Sequence, residues 1–277
     1  MIPEENRMDF TKMHGAGNDF IMLNNISESL NLPVELITAL CARHFGIGAD
    51  GLIILKPSSK YNFRMVYYNS DGSRAGMCGN GARCAARFAV DQGIAPRKLK
   101  FESDSGIVEA EVAGEWVEIS MGEVRELRLN IDVDSFRVSY AVAGVPHAVL
   151  FSGDDKSPDQ SDFLNAARKI RHHKSFEPDG TNVNLAVIRD QGSLSYRTYE
   201  RGVEAETMAC GTGAVAVSVI AAHLGMVKSP VDCRAAGGDT LRVSFIKKSY
   251  GAAKACLKGP AVETYSGSVD VQGIVRR

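Results

Sequence analysis

The 277-residue sequence has no surplus of charge of either sign: 32 Lys and Arg stand against 33 Asp and Glu, a formal net charge of −1. Binding to nucleic acid or to an anionic membrane surface calls for a basic bias. The expected partner is therefore a small molecule, with no nucleic acid and no membrane. The first residues, MIPEENRMDFTKMHG, lack an apolar core of signal-peptide length and are broken by charges, which gives the expectation of a cytoplasmic protein. Residues 208–227, MACGTGAVAVSVIAAHLGMV, contain no Asp, Glu, Lys or Arg. They are rich in Ala, Gly, Ser and Thr and include His223, so they are weakly apolar for a membrane span and suit a helix buried on all sides.

Cysteine is sparse for a disulfide scaffold, at six in a chain this long, and a reducing compartment keeps such residues as thiols. Cys41, Cys84, Cys233 and Cys256 have no suggestive spacing and are expected to be small buried hydrophobes. Low-complexity segments and long Pro- or Ser-rich linkers are also missing.

What is present is pattern. Strand-like runs at 9–13, 20–25, 52–56 and 61–68 flank a helix expected over 34–45, between Pro33 and Gly46. A second helix follows Cys78, and strands return at 98–103, 106–112 and 115–120. The second half repeats this order: strands at 137–143 and 147–151, a helix at 161–173, strands at 183–189 and 194–200, then a helix behind Cys210. An offset of 133 aligns His14 with His147 and LIIL (52–55) with LAVI (185–188). An offset of 132 aligns Cys78 with Cys210, Gly81 with Gly213 and Gly93 with Gly225. Parallel halves of this kind mark a duplicated domain. Two similar domains facing one another would leave a ligand cleft between them, and a short hinge is expected near 122–128.

GIGADG (46–51) matches the dinucleotide-binding G-x-G-x-x-G letter for letter. That motif needs a strand before it and a helix after it, and here the order is reversed. The glycines are expected to serve a tight turn instead.

MCGNGARC (77–84) and ACGTGAVA (209–216) each place a cysteine at the opening of a helix. Unpaired backbone N–H groups and the positive end of the helix dipole there favour a thiolate. Neighbouring glycines let an anionic ligand approach the same donors closely. Two such thiols on opposite sides of one carbon could invert it, one removing a proton as base and the other supplying one as acid. Helix N-termini would stabilise the charge that develops. A redox pair stays open; a metal site is less favoured because neither cysteine has a CxxC partner.

Together KMHGAGNDF (12–20), GIGADGLI (46–53), NSDGSRAGMCGNGARC (69–84), PHAV (146–149), GTNVN (180–184) and YERGVEAETMACGTGA (199–214) resemble the diaminopimelate epimerase family. The resemblance implies an α+β fold of two pseudo-symmetric domains, each a mainly antiparallel sheet wrapped around a central helix, with the active site in the cleft between them. The expected domains are 1–124 with 264–277, carrying Cys78, and 125–263, carrying Cys210. It implies an isomerase that interconverts LL- and meso-diaminopimelate, in lysine and cell-wall precursor biosynthesis, with no cofactor, neither pyridoxal phosphate nor metal. A homodimer stays open.

By the same resemblance Cys78 and Cys210 are the two bases, assisted by His147 and Glu200 respectively. Gly79, Asn80, Gly211 and Thr212 would bind the reacting carboxylate. Asn18, Asn69, Asn182, Glu200 and Arg201 would hold the substrate's amino groups and far carboxylate, a task suited to acceptors and a fixed cationic fork. On local evidence alone, Asn69 opening NSDG also fits a turn initiator. Glu200 with Arg201 also fits a solvated pair, and His147 a satisfied core histidine. The sequence departs from the family pattern twice. Val145 stands where many members carry asparagine, and Gly51 where some carry glutamine.

Overall fold

The computed structural model describes residues 7–30, 32–153, 160–248 and 254–275. The chain runs through β1 (Arg7–Gly15), β2 (Asn18–Asn24), α1 (Val34–Cys41), β3 (Gly51–Lys56), β4 (Arg64–Asn69), β5 (Arg74–Ala75), α2 (Gly79–Asp91), β6 (Lys98–Ser103), β7 (Gly106–Ala113) and β8 (Trp116–Val133). It continues through β9 (Phe136–Ala143), β10 (Val145–Ser152), α3 (Gln160–Arg171), β11 (Asn182–Asp190), β12 (Ser193–Glu200), β13 (Ala205–Thr207), α4 (Gly211–His223), β14 (Val231–Arg234), β15 (Thr240–Ile246), β16 (Lys254–Pro260), β17 (Val262–Asp270) and α5 (Val271–Val275). It divides into two compact units, residues 1–119 with 259–277, and residues 120–258.

In the first unit β1 pairs antiparallel with β2, β2 parallel with β3, and β3 antiparallel with β4. In the second, β9 pairs antiparallel with β10, β10 parallel with β11, and β11 antiparallel with β12. A parallel pair needs a crossover connection, and α1 and α3 supply one in each unit. The duplication extends to the outer strand: β17 pairs with β1 as β8 pairs with β9. The fold is thus α+β, and in each unit the sheet wraps a central helix. α2 packs against β1, β2, β3, β4 and β7, and α4 against β9 to β12, β14 and β15.

The two central helices begin and end alike. Each is 13 residues long and is preceded by its cysteine in extended conformation. Gly93 (φ +69°) and Gly225 (φ +76°) end them in the left-handed region. There Gly93 N donates to Val90 O and Ile94 N to Ala89 O, while Gly225 N donates to Ala222 O and Met226 N to Ala221 O. This pair of bonds is the glycine stop that satisfies a helix's last carbonyls. α4 is buried from Gly211 through Ala222 apart from Thr212, as its all-round apolar sequence requires. Among the described residues no helix is long and apolar enough to cross a membrane.

Two elements and one cysteine differ from the sequence expectation. α1 stops at Cys41 rather than 45, because Gly46 turns back so tightly that a Cβ there would lie 2.1 Å from Ala39 O. The turn frees Arg43 to bridge Asp19 and Asp50. The strand expected at 115–120 continues to Val133, so the hinge expected at 122–128 lies within β8. Glu126 and Asn130 there adopt positive φ, and the pairing with β9 shifts register around Arg128. Cys41, Cys84 and Cys233 are buried, and burial pushes each thiol up to about 12. Cys256 is only half-buried.

Candidate active site

GIGADG lies between α1 and β3, with Gly48 at φ +80° and no helix after it. The turn reading holds. Gly51 opens β3 against β4, where a Cβ would stand 2.6 Å from both Tyr67 Cε2 and Tyr68 O. A glutamine has no room there in this chain. Val145 is the half-buried first residue of β10, opposite Ala143.

In the first unit, Cys78 sits half-buried at the start of α2, and its sulfur caps no helix N–H. The thiol instead donates to Asn18 Oδ1 at 3.4 Å. That same oxygen accepts from Asn80 Nδ2 at 3.3 Å, and Asn18 Nδ2 donates to Asp50 Oδ2 at 2.8 Å. Asn80 is held in turn by Arg83 Nη2, which donates to its Oδ1 at 2.9 Å. Arg83 is fully buried and also donates to Gly79 O and Pro260 O. Gly15 passes so close that a Cβ would meet Asn80 O at 3.0 Å. Behind Asn18, Asp19 receives hydrogen bonds from both Arg43 nitrogens and from Lys12. Burial alone would raise the Asp19 carboxyl, but these cations hold it well below the usual carboxylate range. Asn69 lies at the end of β4, where Gly72 N donates to its carbonyl and its Nδ2 donates to Ser73 Oγ. The turn role is therefore filled.

In the second unit, Cys210 is 6% exposed at the start of α4, and its sulfur also caps no helix N–H. Its Sγ lies 3.3 Å from Thr212 Oγ1, which lies 3.0 Å from His147 Nε2. His147 is fully buried on β10. Its Nδ1 meets Asn184 Nδ2 at 3.0 Å, and the same amide donates to Ala148 O at 3.2 Å. Thr198 donates its hydroxyl to Asn184 Oδ1 at 2.8 Å. Burial, aided by the positive charge of Arg201, pushes His147 down to about 3, so the imidazole is neutral. Tyr196 donates to the Cys210 carbonyl. Asn182 Oδ1 accepts from Arg201 N at 2.6 Å, and the Arg201 guanidinium comes within 4.0 Å of Asp179. Burial raises the Glu200 carboxyl above its ordinary value, with Thr207 opposing.

Of the residues singled out in the sequence, the first unit brings together Cys78, Gly79, Asn80 and Asn18. The second gathers Cys210, Gly211, Thr212 and His147. Asn182, opposite His147 in the β10–β11 pairing, meets Glu200 and Arg201 at the end of β12. His147, which the resemblance couples to Cys78, leads within its own unit to Cys210. Asp50, Arg83, Asn184 and Thr198 were not singled out. Arg83 had a readable signal, a charge inside the small-residue run GARCAARF, and Asn184 stands in the quoted block GTNVN.

Fold and site together define a class: duplicated α+β proteins whose two units each open a central helix with a thiol. The model of the family described as diaminopimelate epimerase matches residues 10–127 and 139–261. The diaminopimelate epimerase of Archaeoglobus fulgidus is 43% identical over 253 residues, covering 84% of this chain and 88% of that one. That of Chlorobaculum tepidum is 42% identical over 261 residues, covering 93% and 99%. A solved phenazine biosynthesis protein of the PhzF family from Bacillus anthracis shares the fold, with a TM-score of 0.71 over 95% of this chain and 99% of that one at 13% identity. The chain belongs to the diaminopimelate epimerase family.

Proposed function

We propose that this protein interconverts LL- and meso-diaminopimelate by moving a proton at the α-carbon, with Cys78 and Cys210 as the acid–base pair and no cofactor. The observation that carries this reading is the repeated cysteine at the opening of each central helix, in a chain of this family. One thiolate takes the α-proton from one face, and the other thiol returns a proton to the opposite face. In the reverse direction the roles exchange. Gly79, Asn80, Gly211 and Thr212 offer their backbone N–H groups to the α-carboxylate, where the charge of the carbanion spreads. Asn18, Asn69, Asn182, Glu200 and Arg201 bind the far ammonium and carboxylate. For Asn69 this would mean exchanging its turn contact with Ser73 for a substrate contact.

The test is proton NMR of LL-diaminopimelate in D₂O with reduced protein and no added cofactor. Loss of the α-proton signal as the meso isomer appears is the expected result. Folded protein with titratable thiols and no exchange would overturn the reading in favour of another substrate or of binding without chemistry.

A further inference from the structure

We propose that Arg171, which takes no part in proton transfer, is a positioning residue for the far end of the substrate. Its buried guanidinium ties together the two chain segments that carry Asn182 and Arg201. The inference rests on the proposed reading of those residues and deepens it by naming what holds them in place.

Arg171 closes α3 and is only 7% exposed. A cation buried to that extent is ordinarily paired and hydrogen-bonded. The partners of Arg171 lie on two different segments. Its Nε and Nη2 donate to Glu204 Oε1 at 3.1 and 2.8 Å, and its Nη1 donates to the Asp179 carbonyl at 2.9 Å. A planar guanidinium fork presents donors in both directions at once, which a lysine ammonium does less well.

Glu204 stands in the turn between β12 and β13, the turn that contains Arg201. Its Oε1 also accepts from Gly202 N at 3.1 Å, and its own N–H donates to Glu200 O at 2.9 Å. Glu204 itself has φ +56°, a conformation that costs energy for a residue with a Cβ. The turn therefore folds around a carboxylate, and Arg171 fixes that carboxylate. His172 Nε2 stands 3.6 Å from Glu204 Oε2, but its side chain is 68% exposed and such a pair contributes little.

On the other side, the segment from Asp179 to Thr181 wraps the same residue. Thr181 N donates to the Arg171 carbonyl at 3.2 Å, satisfying an acceptor at the end of α3. Gly180, at φ +71°, passes so close that a Cβ would lie 2.1 Å from Arg171 Nη1. Asn182 follows directly, and its Oδ1 accepts from Arg201 N at 2.6 Å. The contacts form a closed circuit: Arg171 holds the Glu204 turn and the Asp179 segment, and Asn182 joins the second to the first at Arg201. A fork that binds a carboxylate through two parallel bonds loses affinity when it shifts by about 1 Å. Glu200 has separate support, because it pairs with Ala205 across β12 and β13.

Steady-state epimerisation by the full chain tests the assignment. Arg171→Gln and Glu204→Ala should each raise KM for diaminopimelate about tenfold and change kcat by less than about twofold. Arg171→Lys keeps the charge but not the fork, and should raise KM about threefold. In an Arg201→Ala background, Arg171→Gln should add less than about twofold to KM, since the group it positions is gone; a general structural defect would add in full. Hydrogen exchange of the substrate-free protein should quicken in peptides spanning residues 200–205 in each Arg171 variant. Unchanged KM in the folded variants, a fall in kcat without a rise in KM, or full additivity with Arg201→Ala overturns the proposal. Should the truncated variants fail to fold, Arg171→Lys decides it, and an unchanged KM there is the overturning result. A parent protein without turnover would sink the epimerase reading instead. Exchange then decides the positioning role: faster exchange in the turn supports it, and unaltered exchange overturns it.

Discussion

His147 shows how a single buried side chain shapes both stability and chemistry. Its folded value of about 3 lies below its ordinary 6.5, so between these values the unfolded chain binds a proton that the folded chain excludes. Stability should therefore fall as pH drops below about 6.5, by about 1.4 kcal/mol per pH unit. Guanidinium unfolding at pH 7 and pH 5, for the parent and for His147→Gln, checks this, and an equal pH dependence in both would refute it. Asp19 behaves differently. Its depressed carboxyl contributes stability at neutral pH that is lost only as pH falls below its ordinary 3.8. At the thiols, Cys78→Ala and Cys210→Ala should each lower epimerisation by about a thousandfold or more. Circular dichroism of either variant should match the parent, since neither sulfur caps its helix.

Among elements, the central helices carry the clearest sequence signals, because their boundaries are set by local chemistry. A cysteine followed by Gly-x-Gly opens each one, and a left-handed glycine closes it. Gly93→Ala and Gly225→Ala should each cost about 1 kcal/mol, the strain of a Cβ at positive φ, since nothing else lies within 4 Å of the added atom. Gly213→Ala should cost more, about 2 kcal/mol, because its Cβ would sit 2.6 Å from Asn184 Oδ1 and 3.0 Å from Thr198 Oγ1. Denaturant midpoints rank the three. The strand β8 was legible only at its start. Beyond Ile119 its apolar residues are spaced among charges, and only Val124 and Val133 are fully buried. Pairing with β9, not hydrophobicity, keeps the chain extended there.

On the scale of the whole molecule, each unit has its own core: Leu36, Ile37, Leu40, Leu52 and their neighbours in the first, Phe163, Ile170, Val183, Leu185 and theirs in the second. Separate cores predict two calorimetric transitions. Phe163→Ala, at about 3–5 kcal/mol, should lower one of them and spare the other; a single transition lowered as a whole would show the units unfold together. The sequence by itself determined the duplication, the α+β order of each unit and the two helix-opening thiols. Those features rest on periodicity, glycine and small residues within a few positions of each other. Tertiary structure decided what surrounds each sulfur. Asn184 reaches His147 across 37 residues, Arg83 reaches Pro260 across 177, and β17 returns to pair with β1. Whether a thiol meets a donor or an acceptor depends on side chains that the strands bring from that far away, so no local pattern carries it.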